Sequence, residues 1–168
     1  MPLVRIEGLP DNARTWVFGA DTTIKGPASD TLLREVDGFL SQWQAHGSPL
    51  TVGRDWKYGR FLTVAVDQST AGASGCSIDG LFRTLKGLEP KLGASLVTSG
   101  LIFFRDGSGA VQSVDRDQFT ALGAKGKIAP GTLVFDPTVT TLGEWRARFE
   151  LSAKDSWHAK LLRKKQPA

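Results

Sequence analysis

The chain has 168 residues, 40% hydrophobic and 23% charged, with a formal net charge of +4; this is the usage of one globular domain, or of one domain with a small appendage. Its single cysteine, Cys76, excludes an internal disulfide framework and a cysteine-rich zinc site, and it points to a reducing, cytoplasmic setting. Residues 144–168 hold seven Lys/Arg against three Asp/Glu, so the excess charge is confined to one end, which predicts a local anionic contact and not a protein that coats nucleic acid along its length.

The opening Met1-Pro2-Leu3-Val4-Arg5-Ile6-Glu7-Gly8 has no basic run followed by a sustained apolar one, and no stretch reaches the length a bilayer requires. Neither export nor membrane insertion is expected. Thr15 to Gly19, rich in aromatic and β-branched residues, predicts a short strand. After the break at Lys25-Gly26-Pro27, Ser29 is the candidate N-cap of a helix that reaches about His46, with Leu32, Leu33, Val36, Phe39, Leu40 and Trp43 on one face. Gly47 and Pro49 stop it.

Leu50 to Asp55 and Arg60 to Val66 are two β-prone runs joined by Trp56-Lys57-Tyr58-Gly59, the pattern of a hairpin with a four-residue connection. The second run is almost continuously apolar and is expected at the centre of a sheet. The Gly/Ser loop from Asp67 to Gly75 then leads into a helix carrying Ile78, Leu81, Phe82, Leu85 and Leu88, with Pro90 and Gly93 near its end. Leu101 to Phe104 is a further strand before the Asp106-Gly107 turn. The order strand, helix, strand, strand, helix, strand predicts an α+β fold, a ferredoxin-like βαββαβ sandwich over residues 1–100 with Leu101 to Phe104 as its last strand.

Residues 101–168 predict a small α+β extension. Asp115 and Gln118 have the spacing of a capping pair before a short helix with Phe119 and Leu122; Gly126 ends it, and Thr132 to Phe135 is a strand. Thr141 with Glu144 repeats the capping spacing ahead of Trp145 and Phe149, and Ser152 with Asp155 does so ahead of Trp157, Leu161 and Leu162.

Two readings compete for the loop at Cys76. A loop running from a buried strand into a helix places unpaired amides, and their partial positive charge, where an anion can dock. Ser74, Gly75, Ser77, Asp79 and Asp67 are the candidate ligand-binding residues, and the same field makes Cys76 a candidate nucleophile. The structural reading has Cys76 packed as a small apolar side chain, Ser74 or Ser77 serving as an N-cap, and Asp79 adding charge in the first turn. A general base for Cys76 would be His46, read as the cap at the end of the first helix, or His158, read as a solvated helical position, or Asp67. Trp157, His158, Lys160 and Arg163 are the candidate partner-binding residues.

The chain has no Gly-x-x-x-x-Gly-Lys-Ser/Thr loop, no His-Glu-x-x-His, no Gly-x-Ser-x-Gly and no Rossmann fingerprint. Two histidines and one cysteine, far apart, predict no transition-metal site, and no cofactor is expected. Phe61-Leu62, Ala65-Val66-Asp67, the run Ala71 to Asp79 with its Ser-Gly-Cys-Ser-Ile-Asp core, Trp43 to Leu50 and Ser156-Trp157-His158 resemble a family of uncharacterised bacterial proteins, sometimes labelled ABC transporter ATPases. The missing P-loop does not support that label. The resemblance implies a small cytoplasmic protein and a family-specific role for the cysteine loop. Within residues 101–148, Phe104-Arg105-Asp106-Gly107, Asp117-Gln118-Phe119, Gly126-Lys127-Ile128, Thr132 to Phe135 and Trp145 resemble the GYF-like adaptor domains, which implies peptide or protein binding. Ala110-Val111-Gln112-Ser113 stand where that family has aromatic and Gly-Pro features.

The expected function is that of an accessory protein binding another protein or a small anionic ligand. One alternative is a thiol-dependent enzyme using Cys76. The other is RNA binding, since the strand and helix order is also that of an RNA-recognition motif, with phosphate contacts from Lys160, Arg163, Lys164 and Lys165.

Overall fold

The computed structural model describes residues 3–69 and 71–163. In chain order the elements are β1 (Arg14–Gly19), α1 (Pro27–Ser41), β2 (Gln44–Ala45), β3 (Ser48–Pro49), β4 (Thr51–Lys57), β5 (Phe61–Asp67) and α2 (Gly75–Leu92). They continue with β6 (Ile102–Arg105), β7 (Val111–Val114), α3 (Arg116–Ala124), β8 (Leu133–Phe135), α4 (Leu142–Arg148), β9 (Glu150–Ser152) and α5 (Ala159–Leu162). The fold is α+β. The chain divides into two units, Met1–Thr98 with Thr138–Ala147, and Ser99–Pro137 with Arg148–Ala168.

In the first unit β5 lies between β1 and β4 in an antiparallel sheet. Side chains of a strand alternate between faces, and here both faces are covered. Leu62, Val64 and Val66 join Trp16, Phe18 and Val52 under Leu32, Val36 and Leu40 of α1 and Leu81, Leu85 and Leu88 of α2. Ala65 faces the other way and packs with Ile6, Leu9, Ala13 and Leu142. Segment 138–147 therefore belongs with the first unit: Thr15 donates its amide to the Thr140 carbonyl at 2.9 Å, and the Arg146 guanidinium holds Asp11 at 2.7 Å and the Leu9 carbonyl at 3.0 Å.

Several expected boundaries move. α1 starts at Pro27, whose fixed φ and missing N–H suit the first helical turn, and Ser29 instead accepts a hydrogen bond from the Trp56 indole at 2.9 Å. α1 ends at Ser41, short of His46, because the chain turns back as a small hairpin, β2 against β3, with His46 and Gly47 both at positive φ. Tyr58 and Gly59 repeat that geometry between β4 and β5, which pair up to Lys57 and Phe61, so three residues, Tyr58 to Arg60, connect them in place of the expected four from Trp56 to Gly59; positive φ at successive turn residues matches the twist of a tight hairpin. Trp43, at the base of the first hairpin, is buried and donates its indole N–H to the Ser77 carbonyl at 2.8 Å.

The first sheet contains three strands, and the sandwich's expected fourth strand is not among them. Ile102–Arg105 pairs with β7 and β8 in the second unit, in the order β7-β6-β8-β9. The reason is local: the Asp106 carboxylate accepts from the amides of Ser108 and Ala110 and from the Gln112 side chain, closing a turn that delivers β7 to β6 at once. On one face of this sheet Ile102, Phe104 and Val134 pack with Phe119 of α3 and Leu161 of α5. Thr120 on α3 ties α5 down by donating to the Leu161 carbonyl at 3.0 Å.

A Cβ added at Gly53 would stand 2.7 Å from the Ile6 Cα, against backbone that cannot give way, whereas Gly87, exposed in α2, has open space around it. Gly53→Ala is expected to destabilise the protein by about 1–3 kcal/mol. Gly87→Ala is expected to stabilise it by about 0.5–1 kcal/mol through helix propensity. Urea denaturation of the two variants against the parent checks both signs.

Candidate functional site

The loop and first turn of α2 are organised by a reciprocal capping box. Ser74 Oγ accepts from the Ser77 amide at 3.2 Å, and Ser77 Oγ accepts from the Ser74 amide at 2.7 Å while donating to the Ser74 carbonyl at 2.8 Å. Two of the helix's orphan donors are thereby satisfied, and both hydroxyls are committed to the backbone. The first helical bond runs from the Ile78 amide to the Ser74 carbonyl at 3.0 Å. Among the described residues no acceptor takes the amides of Gly75 and Cys76.

Cys76 is exposed, so the packed reading of it fails. No described residue hydrogen-bonds to its thiol. Asp79 is the fifth residue of α2, outside the first turn, because the helix begins at Gly75; its expected place beside the orphan amides is not the observed one. Asp67 ends β5, partly exposed, and its carboxyl is held below the usual value by hydrogen bonds from Ser69, whose amide lies at 2.9 Å. That carboxylate organises the turn leaving the strand. His46 is exposed at a hairpin tip and is not a helix cap.

The candidate residues of the second unit divide sharply by burial. His158 is 0% exposed, which overturns the solvated position expected of it. Its Nδ1 lies 2.7 Å from Ser156 Oγ, its ring stacks on Trp157 with centroids 3.9 Å apart, and Phe119 packs at 5.9 Å. Burial pushes its pKa down to about 4, with Arg116 adding to the effect and Asp136 opposing it. Trp157 is half-buried, and Arg116 and Lys160 lie over its ring at 5.3 and 5.9 Å. Lys160 and Arg163 are exposed. Lys164 and Lys165 lie outside the described residues.

Beside α5 the second unit has a groove of about 250 Å³ lined by Pro130, Lys154, Ala159, Leu162 and Arg163. Of these only Arg163 stands out in the sequence. Pro130 reaches the groove because the β8 and β9 segments continue to pair past the strand ends, with the Ala153 amide on the Thr132 carbonyl at 2.8 Å and the Lys154 amide on the Pro130 carbonyl at 2.9 Å. No local pattern announces such a long-range pairing; the basic C-terminal bias was the only available pointer. Among the described residues no group of three His, Cys, Asp or Glu side chains gathers to hold a metal ion, and no helix is long and apolar enough to cross a membrane.

Comparison with protein-family models, with curated proteins and with solved structures finds no match for this chain.

The sign of the His158 effect follows from its lowered pKa. The folded protein keeps the imidazole neutral down to about pH 4, while the unfolded chain binds the proton below its ordinary value of 6.5. The contribution to stability is whole above pH 6.5 and is lost as the pH falls towards 4. About 2 kcal/mol is expected to disappear between pH 7 and pH 5 through this group. Urea denaturation at the two pH values, repeated with His158→Phe, is expected to show a flatter pH dependence in the variant.

Proposed function

We propose that the protein acts by binding and not by thiol chemistry, and that its ligand at the first turn of α2 is a small anion such as phosphate or a carboxylate. The observation that carries this reading is the pair of amides, Gly75 and Cys76, that find no acceptor among the described residues at the start of an 18-residue helix. Aligned peptide dipoles and unsatisfied N–H groups make such a terminus favourable to negative charge. The Ser74–Ser77 box holds the turn in place without using either amide. Gly75 leaves the approach open, since a Cβ there would meet nothing within 4 Å.

The thiol-enzyme reading lacks its second component. A nucleophilic cysteine needs a base or another activating group within reach, and no described residue hydrogen-bonds to Cys76. RNA binding in the manner of a recognition motif needs exposed aromatic rings on the central strands. Every residue from Phe61 to Val66 is buried. A cytoplasmic, bacterial accessory role is part of the proposal; it is supported by the exposed unpaired thiol, which suits a reducing compartment, and by the family resemblance of the cysteine loop.

Gly75→Pro separates the amide from the fold. Proline is favoured at the first helical position, and Ser74 already has the extended backbone, φ −94 and ψ 166, that a residue before proline adopts. The variant is expected to keep its stability and to lose roughly tenfold in phosphate affinity, the worth of one hydrogen bond to a charged group. Amide NMR spectra recorded during titration with phosphate, sulfate and acetate check this. Saturable shifts at Gly75 and Cys76 in the parent are the expected result, and their absence would end the anion reading.

A further inference from the structure

We propose that the groove beside α5 docks a peptide segment of a partner protein in which a bulky apolar side chain is flanked by Asp or Glu. This goes beyond the anion reading and does not rest on it, since every residue concerned belongs to the second unit. The groove is lined by three apolar residues, Pro130, Ala159 and Leu162, and by two cations, Lys154 and Arg163. Both are exposed. Among the described residues neither pairs with a carboxylate; Arg163 Nε reaches only the Ala159 carbonyl, at 3.4 Å.

The walls are already in place. The Lys154 amide is tied to Pro130 at 2.9 Å, and Thr120 anchors α5 through the Leu161 carbonyl at 3.0 Å. Leu162 is seated against Gly123, where a Cβ would stand 2.7 Å from the leucine Cδ2. A site formed in advance avoids the entropic cost of ordering on binding.

Size and charge together select the occupant. At about 250 Å³ the groove falls below the roughly 300–1,000 Å³ of an enclosed small-molecule pocket. It suits an apolar side chain presented by a longer chain. Two cations that pair with no carboxylate among the described residues, lining a groove beside three apolar residues, are complemented by carboxylates flanking that side chain, and electrostatic complementarity of this kind supplies specificity and association rate. Single-stranded nucleic acid would need aromatic platforms beside the cations. The groove has none, and the nearby Trp157 ring is occupied by His158, Arg116 and Lys160.

The test uses the full chain with fluorescein-labelled peptides carrying leucine and phenylalanine flanked by Asp and Glu, beside counterparts in which Lys replaces each acidic residue. Fluorescence anisotropy is expected to show that the acidic peptide binds and the basic one does not, with affinity falling as salt is raised. The double variant Lys154→Glu with Arg163→Glu, altering two exposed side chains, is expected to lose roughly tenfold or more in affinity for the acidic peptide and to gain binding of the basic one. Amide NMR shifts at Ala159 and Leu162 would accompany binding. The proposal is overturned by the absence of binding, by equal binding of both peptides, or by a change of less than about twofold in the double variant. Tighter binding of a short single-stranded RNA or of a fatty acid at the same residues would also overturn it.

Discussion

Burial of β5 on both faces is the constraint from which the first unit follows. Its backbone groups are paired on each side by β1 and β4, and its side chains from Phe61 to Val66 are withdrawn from water. A strand of that kind needs apolar cover above and below. α1 and α2 supply one layer through Leu32, Val36, Leu40, Leu81 and Leu85. The other layer at Ala65 is assembled from chain far apart in sequence, Ile6 and Leu9 near one end and Leu142 much later. The late segment 138–147 is recruited to the first unit for that reason, and Arg146 secures it by hydrogen bonds to the carbonyls near the N-terminal turn.

The same strand sets the geometry of the candidate anion site. β5 ends at Asp67, and the chain must cross from the sheet to the helical layer before α2 can begin. Asp67 and Ser69 form the first bend, and the Ser74–Ser77 box forms the second. Trp43 fixes where the helix starts, because its buried indole needs an acceptor and finds it in the Ser77 carbonyl. With the serine hydroxyls spent on the cap, the groups left at this end of α2 are two backbone amides and an exposed thiol to which no described residue hydrogen-bonds.

The second unit answers a different packing problem. Its sheet is built from a tight hairpin and two short strands, and its core rests on Phe104, Phe119, Val134 and Leu161. Burying His158 as a neutral ring, stacked on Trp157, lets the last described helix pack closely at a cost that appears only in acid. That packing leaves Leu162 and Ala159 lining one groove with Pro130, Lys154 and Arg163. The basic end of the chain thus acquires shape as well as charge.

The local elements were readable because their causes are local. Helical spacing of Leu32, Val36 and Leu40, the capping pairs Asp115 with Gln118 and Thr141 with Glu144, and the apolar run from Phe61 to Val66 each act within a few residues. The orphan amides at the start of α2 were legible for the same reason. Partnership across the chain was not. An apolar strand such as Ile102–Arg105 carries no label for the sheet it joins, and the Asp106 turn awards it to β7. His158 in a polar neighbourhood of sequence reads as solvated until Phe119 and Trp157 close over it. Lys154 and Pro130 become one groove only when β8 and β9 pair beyond their ends. By itself the sequence determined the longer helices, the apolar strands and the capped start of α2, since these depend on short-range hydrogen bonds and periodicity; the β2–β3 hairpin, β7 and β9 were not legible in it, and the spacing of Ser152 and Asp155 forms no side-chain cap. Which surfaces were buried and which side chains met was decided by the tertiary structure, because burial depends on contacts between residues that are neighbours only in the fold.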